Sequence, residues 1–163
     1  MSSSDRRRFL IMLAMAPLGA CGFAPVYATG GAGHALRGQV RVAAPDTRQG
    51  FVLVARLEAR LGRATAPGLQ LDWDIATTER GLAITGSNDI TRINLTGTLN
   101  FRLTQIATDQ TVQTGTVSTF TAYSTTGSPV ATAAARRDAE DRLMVALADQ
   151  LMSRLLSGAA DRA

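Results

Sequence analysis

The sequence predicts an α+β fold: a two-layer sandwich whose four-stranded, mostly antiparallel sheet carries two helices on one face, in the order β-α-β-β-β-α. Three observations lead there. Residues 69–75 and 93–104 alternate apolar and polar side chains with a period of two, as strands wet on one face do. Leu53, Leu57 and Leu61 recur every four residues, and so do Ala139, Leu143, Leu147, Leu151 and Leu155, as helices with one buried stripe require. Clusters of glycine, proline and short polar residues fall between these segments.

Each element follows from local pattern. Leu36, Val40 and Val42 alternate with Arg37, Gln39 and Arg41, which predicts a short first strand over residues 36–43 that Pro45 ends. Asp46 or Thr47 can cap a helix running to about Leu61, and Gly62 sits where a left-handed terminal residue is wanted. Its leucine stripe is expected to pack on the sheet. In the second strand Leu69, Leu71, Trp73 and Ile75 face one way; Gln70, Asp72 and Asp74 face the other. Asp72 and Asp74 share a face without a histidine or third acid nearby, so they read as solvated side chains rather than a catalytic pair. Glu79-Arg80-Gly81 reads as a turn, residues 82–84 as a short continuation, and Gly86-Ser87-Asn88-Asp89 as a loop.

The third strand is the longest, with Ile93, Leu95, Gly97, Leu99, Phe101 and Leu103 on one side. Residues 107–111 form the expected hairpin connection, and residues 112–123 return as a fourth strand. Val117 and Phe120 differ in parity there, which predicts a bulge or a change of face. After a loop over residues 124–129, a long helix is expected to begin between Ser128 and Thr132 and to end near Leu156, with Gly158 beyond it. Arg136, Arg137, Asp138, Glu140 and Asp141 form a solvated face on its first half.

The start of the chain concerns location. Asp5-Arg6-Arg7-Arg8 is charged, residues 9–16 are apolar, and Leu18-Gly19-Ala20 is a small-residue stop before Cys21, the single cysteine. That is the layout of a secretory signal peptide. The apolar run is too short to span a bilayer, which needs ~20 residues. The placement of Cys21 resembles the lipobox of bacterial lipoproteins. The resemblance implies a diacylglycerol on the thiol, removal of the preceding peptide and acylation of the new amino terminus. Gly22, where aspartate would retain the protein at the inner membrane, implies by the same likeness transfer to the outer membrane. Arg6-Arg7-Arg8-Phe9-Leu10 also satisfies the core of a twin-arginine signal, so both export routes stay open. The expected organisation is a signal peptide over residues 1–20, a lipidated flexible tether over 21–35, a single α+β domain over 36–158 and a disordered tail over 159–163.

Composition narrows the function classes. The chain has 17 basic residues, all arginine, against 13 acids. Removing Arg6, Arg7, Arg8 and Asp5 with the signal leaves 14 against 12, a net charge of about +2. No clustered basic face of the kind nucleic acid needs is in view, so no nucleic-acid partner is expected. One cysteine allows no internal disulfide. His34, the lone histidine, lies in the glycine-rich stretch, a poor seat for a general base. Gly-x-Ser-x-Gly, paired-histidine and phosphate-loop patterns are missing from the sequence, and Gly30-Gly31-Ala32-Gly33 follows no strand. Neither enzyme activity, a cofactor nor a metal is expected. Asn94-Leu95-Thr96 is a formal glycosylation sequon, without meaning in a bacterial host.

Three features together resemble the lipopolysaccharide-assembly lipoprotein family, LptE. The first is Cys21-Gly22-Phe23-Ala24-Pro25-Val26-Tyr27, similar to the start of mature alphaproteobacterial members. The second is the order of elements. The third is the block from Tyr123-Ser124-Thr125 through Ser128-Pro129-Val130-Ala131-Thr132 into Arg136-Arg137-Asp138-Ala139-Glu140-Asp141-Arg142-Leu143, then Ala148-Asp149-Gln150-Leu151. The resemblance implies a lipid-anchored outer-membrane protein that faces the periplasm and plugs the lumen of the LptD β-barrel. It also implies help in assembling that barrel and in delivering lipopolysaccharide to the outer leaflet. Lipopolysaccharide phosphates seek guanidinium partners, and Arg92 and Arg102, on the wet side of the third strand, are the candidate contacts. The alternative is a lipid-anchored periplasmic ligand-binding subunit of an ABC-type lipid-trafficking system.

Overall fold

A computed structural model describes residues 31–84 and 90–160. The signal segment, Cys21, most of the expected tether, the Gly86-Ser87-Asn88-Asp89 loop and residues 161–163 lie outside the described residues. The elements are α1 (Ala32–Leu36), β1 (Val40–Val42), α2 (Arg48–Leu61), β2 (Leu69–Ile84), β3 (Ile90–Gln105), β4 (Thr111–Ser124) and α3 (Pro129–Ala160). The sheet order is β1-β2-β3-β4, with β1 parallel to β2 and the other pairs antiparallel. The two-layer α+β sandwich and its main order stand as expected, in a mixed sheet.

The helices are set by their ends and their stripes. The Thr47 hydroxyl accepts from the Gly50 amide at 3.1 Å, which settles the choice between Asp46 and Thr47 as the cap of α2. Gly62, at φ 74°, closes the helix by donating its amide to the Glu58 carbonyl at 2.8 Å. Ser128 caps α3 by accepting from the Ala131 amide at 3.3 Å, and Pro129 takes the first helical position, where a missing N–H costs nothing. Leu53, Leu57 and Leu61 of α2 and Leu143, Leu147, Leu151 and Leu155 of α3 are all fully buried against Leu71, Leu99 and Leu103 of the sheet.

Two salt bridges show how the helices lie. Arg48 reaches Asp141 at 2.8 Å, and Arg56 grips Asp149 through two hydrogen bonds of 3.0 and 2.9 Å. Each pair is separated by 93 residues, so α2 and α3 run side by side in the same direction. Arg60 adds a third contact to Asp149 at 3.5 Å.

Four local expectations change. Residues 32–36 form the short helix α1, inside the stretch expected as tether and first strand, because burying Leu36 against α3 outweighs the poor helix propensity of Gly33. The first strand therefore shrinks to three residues, after a turn at Gly38 (φ 73°). β2 runs straight through Glu79-Arg80-Gly81, held by pairing with residues 93–95 of β3; its irregularity comes later, at Gly81/Ala83 and Ala83/Ile84. In α3 the helix passes Gly158 and ends at Ala160. Gln113 explains that glycine: its amide donates to the Arg154 carbonyl at 2.8 Å, and a Cβ at 158 would sit 2.5 Å from its Oε1.

Candidate functional site

The helices cover one face of the sheet and leave the other open. Strand alternation and the observed register stack that outer face in rows. Asp72, Arg102 and Thr114 form one, then Asp74, Asn100 and Thr116, then Ala76, Thr98 and Ser118, then Thr78, Thr96 and Phe120, and then Arg80, Asn94 and Ala122. Short polar side chains dominate, and neighbours bond laterally. The Thr116 hydroxyl donates to Asn100 Oδ1 at 2.7 Å, the Thr98 and Ser118 hydroxyls lie 3.4 Å apart, and Ser118 also donates to the Gly97 carbonyl at 3.0 Å. Hydroxyls and amides keep spare donors and acceptors when so paired, so the face can bond to a second polar surface without losing its own order.

Arg102 and Arg92 both sit on this face, as their parity requires, but the structure does not bring them together. Ten residues of β3 separate them, roughly 33 Å at strand rise. Arg102 lies directly opposite Asp72 beside an open recess of about 490 Å³ that Asp74 also lines. Two carboxylates there compete with any anionic ligand. Arg92 lies at the far end, opposite Ser124, beside a recess of about 470 Å³ lined by Thr91, Ala122, Tyr123, Ser124 and Thr126. No carboxylate among the described residues lines that recess, so on those residues Arg92 is the better placed of the two to meet a phosphate. Asp72 and Asp74 are exposed on the outer face, as solvated side chains.

Phe120 is the departure from this polarity. It is 68% exposed in the middle of the hydroxyl rows, while Val117 turns inward opposite Leu99. The pairing from Gln113 to Ser124 is unbroken, so the parity conflict marks two faces of a regular strand rather than a bulge. The β-bulge lies lower, where the register skips between Leu103 and Thr104. Sequence alone had a signal for this, since Thr114, Thr116 and Ser118 share the parity of Phe120, but it needed the β3 register to be decisive.

A second cluster ties the sheet to the start of α3. Arg136 Nε contacts Glu79 Oε1 at 2.9 Å and Glu140 Oε1 at 3.3 Å. Tyr123 is buried beside them, and burial, reinforced by the negative charge of Glu79 and a hydrogen bond to it, raises the phenol above its ordinary range despite Arg136. These residues are paired with one another, and the cluster pins two elements rather than presenting a nucleophile. His34 is exposed on α1. No three His, Cys, Asp or Glu residues among the described ones could hold a metal ion, and no described helix is long and apolar enough to cross a membrane.

A solved lipoprotein from Caulobacter crescentus CB15 superposes with a TM-score of 0.66 at 19% identity, covering 80% of this chain and 97% of that one. Rare lipoprotein B from Shewanella oneidensis superposes with a TM-score of 0.55 at 10% identity, covering 73% and 92%. A minor lipoprotein from Acinetobacter baumannii gives 0.53 at 14% identity, over 73% and 89%. At these identities the likeness is one of fold. No curated protein matches the chain in sequence. The family model for lipopolysaccharide-assembly, LptE, matches residues 38–155, which spans β1 to the last buried leucine of α3. The chain therefore belongs to the lipopolysaccharide-assembly family LptE.

Proposed function

We propose that this chain is an outer-membrane lipoprotein that seats in the lumen of the LptD β-barrel as a plug, helps that barrel assemble, and assists passage of lipopolysaccharide to the outer leaflet. Family membership supplies the process. The observation that carries the plug reading is the open sheet face, whose rows of Thr, Ser and Asn side chains suit a water-lined wall. Each hydrogen bond exchanged there for one to water is worth about 0.5–1.5 kcal/mol net, so the fit depends on many small gains rather than one anchor. Acyl chains on Cys21 hold the protein to the inner leaflet beside the barrel; two chains suffice for stable anchoring, at ~0.8 kcal/mol per buried methylene.

Arg92 and Arg102 are the proposed contacts to lipopolysaccharide phosphates, through charge-assisted hydrogen bonds. Since Asp72 already faces Arg102, Arg92→Ala is expected to weaken lipopolysaccharide binding more than Arg102→Ala. Equal binding by the parent and the double alanine variant would remove both from the site. The plug itself is tested by purifying the chain from detergent-solubilised outer membranes of its host. A large barrel at one-to-one stoichiometry is the expected result. Recovery without a barrel overturns the plug and favours a carrier of diffusible lipid.

A further inference from the structure

β1 pairs with only the first three residues of β2, Leu69, Leu71 and Gln70 between them. β2 continues for thirteen residues beyond that contact, and among the described residues no strand pairs with its outer edge there, although residues within 43–49 line a recess beside Trp73 and Ile75. The phase of that edge is fixed by the bonds β1 does make. The Leu69 amide donates to the Gln39 carbonyl at 3.1 Å, and the Leu71 carbonyl accepts from the Ala43 amide at 2.9 Å. By alternation, Trp73, Ile75, Thr77, Glu79 and Gly81 turn their N–H and C=O groups outward. A long edge of this kind templates pairing with another strand, and proteins normally blunt or cover it. This one has no proline and no lysine, and it is irregular only at its far end.

We propose that the β2 edge pairs antiparallel with the same edge of a second copy of this chain, about a two-fold axis at Thr77. An isologous contact of this type requires the edge to be complementary to itself, and the charges at Asp74 and Arg80 are. Centring on Thr77 makes residues 73, 75, 77, 79 and 81 the hydrogen-bonded positions, which are the ones whose backbone groups point out. Asp74 then lies directly opposite Arg80, twice per dimer, on the outer face. Both side chains are exposed, and neither has an ion pair within its own chain among the described residues. Thr77 meets Thr77, a favourable cross-strand pair. Trp73 meets Gly81, which offers no side chain to crowd the indole. Moving the axis to Glu79 would oppose two carboxylates, and moving it to Ile75 would run into β1 (Leu71 would have to pair again).

The ends also agree. One step past this segment the second copy would collide with Ala43, where β1 occupies the edge, and β2 breaks its regular pairing there, between Gly81 and Ile84. Self-pairing shields the edge in the free protein and leaves the outer rows of β3 and β4 open. It stands apart from the barrel reading, because it is measured on the purified chain with no barrel present.

Native mass spectrometry of the full chain released from detergent, over a dilution series, tests it. The parent is expected to show a dimer that dissociates on dilution. Asp74→Arg or Arg80→Asp alone sets like charges opposite each other and is expected to raise the dissociation concentration roughly tenfold, since each dimer holds the pair twice. The double variant Asp74→Arg/Arg80→Asp restores the pairing and the parent's behaviour, which also shows that the single variants are folded. A parent that is monomeric throughout overturns the proposal. So does a dimer indifferent to either reversal, or one that the double variant fails to rescue.

Discussion

Gly97 decides how closely the long helix lies on the sheet. A Cβ there would stand 2.9 Å from one methyl of Leu147 and 3.0 Å from one of Leu143. Gly97→Val forces those leucines off their rotamers and is expected to cost about 1–3 kcal/mol, read as a lower urea midpoint with an unchanged slope. Leu147→Ala acts in the opposite sense, opening a cavity in a fully buried site, and is expected to cost about 2–5 kcal/mol. Phe120→Ser should leave stability within about 0.5 kcal/mol, because the ring touches solvent rather than core. Its effect should appear instead as weaker recovery of the barrel from membranes, since an exposed aromatic amid hydroxyls is suited to anchoring a partner. The buried leucines were legible because periodicity reports burial. Phe120 was not, because an apolar residue of the wrong parity fits a bulge as well as an exposed side chain until the neighbouring strand is placed.

The parallel helices α2 and α3 depend on more than their leucines. The two-pronged hydrogen bond from Arg56 holds Asp149 below the ordinary carboxylate range; partial burial opposes the shift, and the charges of Arg56 and Arg60 add to it. A carboxylate with a depressed folded pKa contributes stability that is complete above its unfolded value of about 3.9. That contribution is lost as pH falls through the folded value. The pair is partly exposed, so solvent screens it and the contribution is small. Asp149→Asn is therefore expected to lower the thermal midpoint slightly at neutral pH. The difference from the parent should vanish in acid below the carboxylate range, and high salt should shrink it. A difference that persisted in acid would place the effect in packing instead. Both long helices could be read from four-residue spacing and end residues such as Thr47, Gly62 and Ser128. The continuous β2 could not: Glu79-Arg80-Gly81 has turn composition, and only the partner strand overrides it. Nor could α1, where a single buried leucine outweighs local propensity.

Taken together, the molecule is a sheet with one dry face and one wet face. The dry face is closed by α2 and α3, which spend the chain's apolar side chains on a single core. The wet face is rich in short polar groups and carries only open recesses among the described residues, a form suited to lying against a wall rather than enclosing a ligand. Arg92 and Arg102, the proposed lipopolysaccharide contacts, lie some thirty ångström apart by strand rise, too far to hold one phosphate between them. What tests this picture is site-specific photo-cross-linking in the native host. A photoreactive residue replacing Thr98 or Thr116 on the outer face is expected to capture a large outer-membrane barrel. Capture only from helix-side positions such as Glu58, with nothing from the sheet face, would contradict it.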